Sequence, residues 1–197
     1  MNPFSVSEVT EDRQNKFAEC DLGKAAERWK ASDDFPNSAN SAIYDVSLAI
    51  IAVDIRNCPL ENGHWEGERG NSKWVPDPDY VPQKSNLEGK TWGEILEKHG
   101  IDGIKYTDGE PVFDNVSKGT VTIEGFSSER SDNFDKADTE LAKQRGYAPE
   151  EVRAWRKENG FTWHECKDME TMQKVPCEIH NNVSHRGGVS NSKAVEG

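Results

Sequence analysis

Along the chain the apolar positions come in short groups whose spacing alternates between helical and extended periods. Phe17, Ala18, Leu22, Ala25, Ala26 and Trp29 approximate one face of a helix over Glu11 to Lys30. Pro36 and the polar run Asn37 to Ser41 break that pattern. Ala42 to Ile55 then resumes a helix-like spacing, with a buried strand as the competing reading. Pro59 to Ser85 is rich in Gly, Pro, Asn and Trp, which predicts turns and short irregular segments. Thr91 to His99 reads as a short helix, with Thr91 as its cap, Glu94 completing a capping box and Gly100 ending it. Ile101 to Ile123 reads as short strands and turns, with Asp108-Gly109 and Lys118-Gly119 as the turn signals.

The last third is patterned more sharply. Phe134, Ala137 and Leu141 share one face of a helix over Asn133 to Gln144, stopped by Gly146. Pro149 stands at the first turn of a second helix, Glu150 to Glu158, closed by Asn159-Gly160. The β-prone run Phe161-Thr162-Trp163 then places His164 at a strand end, before the polar turn Lys167 to Thr171. Met172 to Val175 is the returning strand, and Pro176 opens a helix that carries His180. Alternation puts Trp163 on the face opposite His164, which assigns it to the core.

Composition narrows the class. Of 197 residues, 34% are hydrophobic and 30% charged, yet six Trp, seven Phe and four Tyr supply core anchors that a disordered chain lacks. No apolar run approaches the roughly 18 residues of a membrane span, and the N-terminus carries no basic start followed by an apolar stretch. Cys20, Cys58, Cys166 and Cys177 are too scattered for a disulfide scaffold, so reduced thiols are expected. The formal charge of -12 speaks against a nucleic-acid binder until its distribution is read. Leu141 to Gly197 holds nine Lys and Arg against eight Asp and Glu, so the excess of acid lies in the first 140 residues. That acidic part fits either a solvated surface or attraction to a basic partner.

Candidate chemistry sits where the acid excess ends. Three of the five histidines, His164, His180 and His185, fall within 22 residues. Neutral imidazole is the commonest metal ligand, and three protein ligands with an open position suit a catalytic ion. His185 lies five residues after His180, which is poor spacing on a straight helix. The two converge only if the helix ends near Ser184 and the chain turns at Arg186-Gly187-Gly188. His164, Cys166, Cys177 and His180 also permit a four-ligand structural zinc site, although a small core residue is the favoured role for Cys166. Arg153, Trp155, Arg156 and Lys157 form either a nucleic-acid track or an exposed helix face with one buried Trp.

Gly160 to Glu165, Thr171 to Pro176 and His180 to Gly188 together resemble the Trp-His-His branch of the HNH/endonuclease VII nuclease superfamily. That branch is common as the C-terminal toxin domain of bacterial polymorphic toxins. Gly67 to Ser72, Gly109-Glu110-Pro111 and Asn133 to Asp138 are similar to the region before the motif in such toxins. The resemblance implies an α+β fold with a ββα-metal core at about 160–190, in a loop-rich toxin nuclease domain over 59–197. Residues 1–58 become a helical N-terminal extension.

It also implies one divalent ion (Mg²⁺, Mn²⁺ or Zn²⁺), DNA as substrate, a cognate immunity protein, and delivery by a specialised system into the cytoplasm of a target cell. The acidic N-terminal part is then a candidate contact for that delivery system. The branch pattern is broken at one place, where Glu165 replaces the second histidine. Two assignments follow: His164 as ligand with Glu165 as base, or His164 as base with His180, His185 and Glu165 around the metal. The second is favoured because histidine titrates nearer neutral pH. Gln173 takes the place of the middle Asn and braces the loop, and Arg186 and Lys193 are the candidate phosphate contacts. The competing readings are an RNase of the same fold and a non-catalytic, zinc-stapled protein-binding module.

Overall fold

The computed structural model describes residues 55–196; the helix expected over Glu11 to Lys30, and all but the end of that over Ala42 to Ile55, lie outside them. The described residues form a mixed α+β arrangement of two small antiparallel sheets and five helices. In chain order these are β1 (Gly63–Trp65), β2 (Lys73–Pro76), α1 (Trp92–His99), β3 (Ile104–Thr107), β4 (Glu110–Pro111), β5 (Thr120–Thr122), α2 (Arg130–Arg145), α3 (Pro149–Glu158), β6 (Phe161–Glu165), β7 (Thr171–Pro176), α4 (Cys177–His180) and α5 (Gly188–Glu196). The sheets run β1-β2-β3-β4 and β5-β7-β6.

The local signals explain most of these bounds. Thr91 caps α1 with a complete capping box, and Gly100 ends it in the left-handed conformation that glycine adopts without strain. Asp108 and Gly109 both have positive φ, 50° and 75°, as a two-residue turn between β3 and β4 requires. Gly146 ends α2, and Pro149 starts α3. The stretch Pro59 to Ser85 departs from expectation, since it contains the β1–β2 hairpin rather than only turns. Lys73-Trp74-Val75-Pro76 alternates half-buried and buried residues, a period of two that is easily lost in so short a run.

β7 divides two apolar clusters. Met172 packs with Val121, Ile123, Ala137, Leu141, Val152 and Trp163 under α2 and α3. Val175, three residues on and therefore on the other face, packs with Trp74, Trp92, Ile95, Ile104, Tyr106, Phe113 and Ile179. The register pairs Trp163 with Lys174, His164 with Gln173 and Glu165 with Met172. Directly paired residues share a face. His164 and Gln173 consequently face the Val175 side, while Trp163, Lys174 and Glu165 face α2 and α3.

A buried ionic knot fastens that second side. Asp138 of α2, fully buried, accepts from Arg156 Nε and Nη2 of α3 at 3.0 and 2.7 Å and from Trp163 Nε1 of β6 at 2.8 Å. The cluster 153–157 is thus the reverse of the single-buried-Trp expectation: Arg156 is buried against Asp138, and Trp155 is exposed. A buried Asp within reach outweighs the apolar preference of the indole, because a paired charge is satisfied where an unpaired one is not.

Candidate metal centre

β6, the turn after it, β7 and α4 follow one another as strand, turn, strand and helix. β6 delivers the His164 ring to the face shared with Phe113, whose ring lies edge-on at 5.0 Å. α4 ends at His180, earlier than the sequence suggested, and is anchored to α1 by Glu178, whose Oε1 lies 2.6 Å from Lys98 Nζ and 2.7 Å from His99 Nε2.

After α4 the chain turns, and Tyr106 Oη donates to the Ser184 carbonyl at 3.0 Å. This fixes the segment that returns His185 toward the helix. Beyond it, a Cβ at Gly188 would sit 2.4 Å from the Cys166 carbonyl oxygen, so only glycine allows that close approach. The poor helical spacing of His180 and His185 is resolved by a short helix and a non-helical return.

One nitrogen from each of His164, His180 and His185 lies within 4.8 Å of the other two. His164 Nδ1 and His180 Nε2 are 3.3 Å apart. The far nitrogens have their own neighbours. His185 Nδ1 lies 2.7 Å from the Val183 carbonyl, which only accepts, so Nδ1 carries the proton and Nε2 keeps its lone pair. His180 Nδ1 lies 3.1 Å from Asn181 Oδ1, an arrangement that likewise leaves Nε2 as the free base. His164 Nε2 faces Glu110 Oε1 at 3.4 Å.

Electrostatics favour neutral rings at His180 and His185. Burial first, then the neighbouring His185 and His164, hold the His180 imidazole well below its ordinary range. Burial and His164 bring His185 down to about 4. The donor set fits a divalent ion: neutral imidazoles offer lone pairs, and two nitrogens at 2.0–2.1 Å from one tetrahedral ion lie roughly 3.3 Å apart, as His164 Nδ1 and His180 Nε2 do.

Glu165, expected at the metal or as the base, is placed on the other face of β6. Its Oε1 accepts from Asn133 Nδ2 and its Oε2 from Arg130 Nε, both at 2.9 Å and both from α2. Burial raises its proton affinity, opposed by Asn133 and Arg130. The Arg130 charge is also the smallest of the effects that lower the proton affinity of His180 and His185. Gln173 is buried beside His164, and its Nε2 donates to Asp114 Oδ1 at 2.6 Å. Arg186 Nη2 donates to the Ser190 carbonyl at 3.1 Å, and Lys193 is exposed on α5.

Cys166 is buried and lies near Glu110 and His164, whereas Cys177 is in neither candidate metal group among the described residues. The four-ligand His164, Cys166, Cys177, His180 set is therefore not assembled. Sequence reasoning gave no role to Arg130, Asn133 or Asn181. Glu110 falls in the toxin-like segment Gly109-Glu110-Pro111 and Asn133 at the expected helix start, and periodicity carries no signal for a carboxylate delivered from a separate sheet.

None of the described helices is long and apolar enough to cross a membrane. No curated protein matches the chain. Residues 103–187, rather less than half of the chain but spanning Glu110, Arg130, Asn133, Glu165 and all three clustered histidines, match the family model described as the DNase/tRNase domain of colicin-like bacteriocin, which supports a nuclease toxin domain here.

Proposed function

We propose that this chain is a metal-dependent HNH-type endonuclease that hydrolyses phosphodiester bonds of DNA as the toxic domain of an interbacterial effector. The observation that carries this reading is the convergence of His164, His180 and His185 within 4.8 Å. The β6, β7, α4 order supports a ββα-metal core, and the match to a DNase/tRNase toxin family supports the substrate class. In this reading a cognate immunity protein protects the producer, and the domain is delivered to a target cell.

The three imidazoles would hold a divalent ion. His164 moves from base to ligand in this assignment, because its Nδ1 is directed at His180 Nε2. A divalent cation held by these three rings would supply Lewis-acid polarisation at the scissile phosphate. Glu165 takes the proton of the attacking water. Its burial raises its proton affinity toward the working range, and Arg130 and Asn133 each leave one lone pair on the oxygen they contact. The water oxygen attacks phosphorus, the ester P–O bond breaks, and the departing oxygen is protonated from solvent. Arg186 and Lys193 remain the proposed phosphate contacts on the segment after His185, and Gln173 braces the strand beneath His164.

The test is nicking and linearisation of plasmid by purified protein with Mg²⁺, Mn²⁺, Zn²⁺ or chelator, beside His164→Ala, His180→Ala and His185→Ala. Metal-dependent cutting lost in all three variants is the expected result. A folded protein that cuts neither DNA nor RNA with any of the metals would sink the proposal. A second reading keeps the centre and takes RNA as substrate, favoured by the family description, which covers both DNase and tRNase. Total tRNA in the same assay separates the two.

A further inference from the structure

We propose that Glu110, delivered from the other sheet, is a positioning residue that fixes the tautomer and orientation of His164. The inference rests on the metal-centre reading above. Glu110 lies on β4, just after the Asp108-Gly109 turn, so its sheet is not the one that carries His164. Three contacts dock this hairpin on the end of β6. The Lys167 backbone N–H donates to Glu110 Oε1 at 2.8 Å, Lys167 Nζ donates to the Asp108 carbonyl at 2.6 Å, and Glu110 Oε1 stands 3.4 Å from His164 Nε2, an ion-pair approach rather than a hydrogen bond in this geometry. The carboxylate is also among the charges felt by His185. A backbone amide therefore aims one oxygen of a half-buried carboxylate at the far nitrogen of the candidate ligand.

The chemistry follows from what each atom is able to do. An ionised carboxylate only accepts, so the proton of a neutral His164 is drawn to Nε2, and the lone pair is left on Nδ1. Nδ1 is the atom 3.3 Å from His180 Nε2. With the proton on Nδ1 instead, a hydrogen would stand between the two ligand nitrogens. Carboxylate partners of this kind set ring orientation and raise ligand basicity, and their loss typically weakens metal affinity by 10–100-fold. Cys166 shares a candidate metal group with Glu110 and His164, and its thiol donates to Gln173 Oε1 at 3.8 Å.

The full chain, stripped of metal, is titrated with Zn²⁺ by calorimetric competition, and Co²⁺ loading is followed by its visible spectrum. The parent is compared with Glu110→Leu and Glu110→Gln. The Leu variant is expected to lose about 10–100-fold in Zn²⁺ affinity with an altered Co²⁺ spectrum. The Gln variant, which keeps an oxygen on the Lys167 N–H and beside His164 Nε2, is expected to restore most of that loss. In the metal-free parent, ¹⁵N NMR of the imidazole is expected to show His164 protonated at Nε2. A Leu variant that binds Zn²⁺ as tightly as the parent overturns the inference and leaves the metal centre standing. So does a Gln variant as damaged as Leu, which would make the carboxylate a ligand. A parent that binds neither ion removes the metal reading itself, and a His164 protonated at Nδ1 in the metal-free parent overturns the inference independently of metal. Should Glu110→Leu fail to fold, the Gln variant and the parent tautomer still decide the matter.

Discussion

Arg130 of α2 donates from Nε to Oε2 of Glu165 across 2.9 Å, tying a mostly exposed guanidinium to a carboxylate that is only 4% exposed. The pairing directs Glu165 to α2 rather than to the imidazole trio, and its proposed role as base is testable apart from metal binding. Glu165→Gln keeps the shape and the Arg130 contact but cannot take a proton. It is expected to lower the cleavage rate by about 10²–10⁴-fold, the usual worth of a general base, while Zn²⁺ affinity stays within a few-fold of the parent. Single-turnover cleavage and metal titration, run on the same preparation, check both halves. Metal affinity falling as far as in His180→Ala would return Glu165 to the ligand set.

Metal removal has a stability consequence that needs no substrate. An ion that binds only the folded chain stabilises it, by about 2.7 kcal/mol at 100 times its dissociation constant. Thermal melts of the parent are expected to rise with added Zn²⁺ and fall back with chelator. His180→Ala and His185→Ala are expected to abolish the response, and His64→Ala, an exposed histidine on β1, to preserve it. An equal shift in the ligand variants would place the ion elsewhere.

Asp138 carries the packing of α2, α3 and β6 together through Arg156 and Trp163. Asp138→Ala leaves Arg156 buried without its bidentate partner and the Trp163 N–H without an acceptor. A cost of about 3–5 kcal/mol is expected, the range for breaking one side of a buried pair. Urea unfolding at neutral pH measures it. A loss below about 1 kcal/mol, the worth of a surface pair, would show that the knot is not buried in solution.

Caps and alternation make much of this fold legible in the sequence. The bounds of α1, α3, β6 and β7 and the end of α2 follow from Thr91, Gly100, Gly146, Pro149 and the alternation around Trp163, because those signals act within one turn or one strand, whereas α2 begins at Arg130 rather than the expected Asn133, with no side-chain cap to mark its start. The clustering of His164, His180 and His185 was likewise visible. What was not visible depends on register and on contacts between distant segments. The pairing of Glu165 with Met172 decides that its carboxylate meets Arg130 and Asn133 rather than the imidazoles. Glu110 reaches His164 only because β3 and β4 dock on the end of β6, and Arg156 is buried only because Asp138 lies 18 residues earlier on a neighbouring helix. No local periodicity encodes such meetings.

Lys174 offers a test of the same packing by pH. Its side chain is 3% exposed, with Nζ 4.3 Å above the Trp155 ring, and burial, then the Arg145 charge, bring it from its ordinary 10.5 down to about 8. The folded chain therefore releases this proton near pH 8, while the unfolded chain holds it to about 10.5. Between those values the unfolded state binds more protons, so this group's contribution to stability rises with pH, and below about 8 it is flat. Relative to Lys174→Met, which cannot titrate, the parent is expected to gain about 1.4 kcal/mol per pH unit across that window. Urea midpoints of both proteins at pH 7, 8.5 and 10 give the difference directly, with every other titrating group cancelling between them. A gap that stays constant from pH 7 to 10 would mean that Lys174 is solvated in the folded protein, and that the Trp155 edge of β7 is more open than its 3% exposure implies.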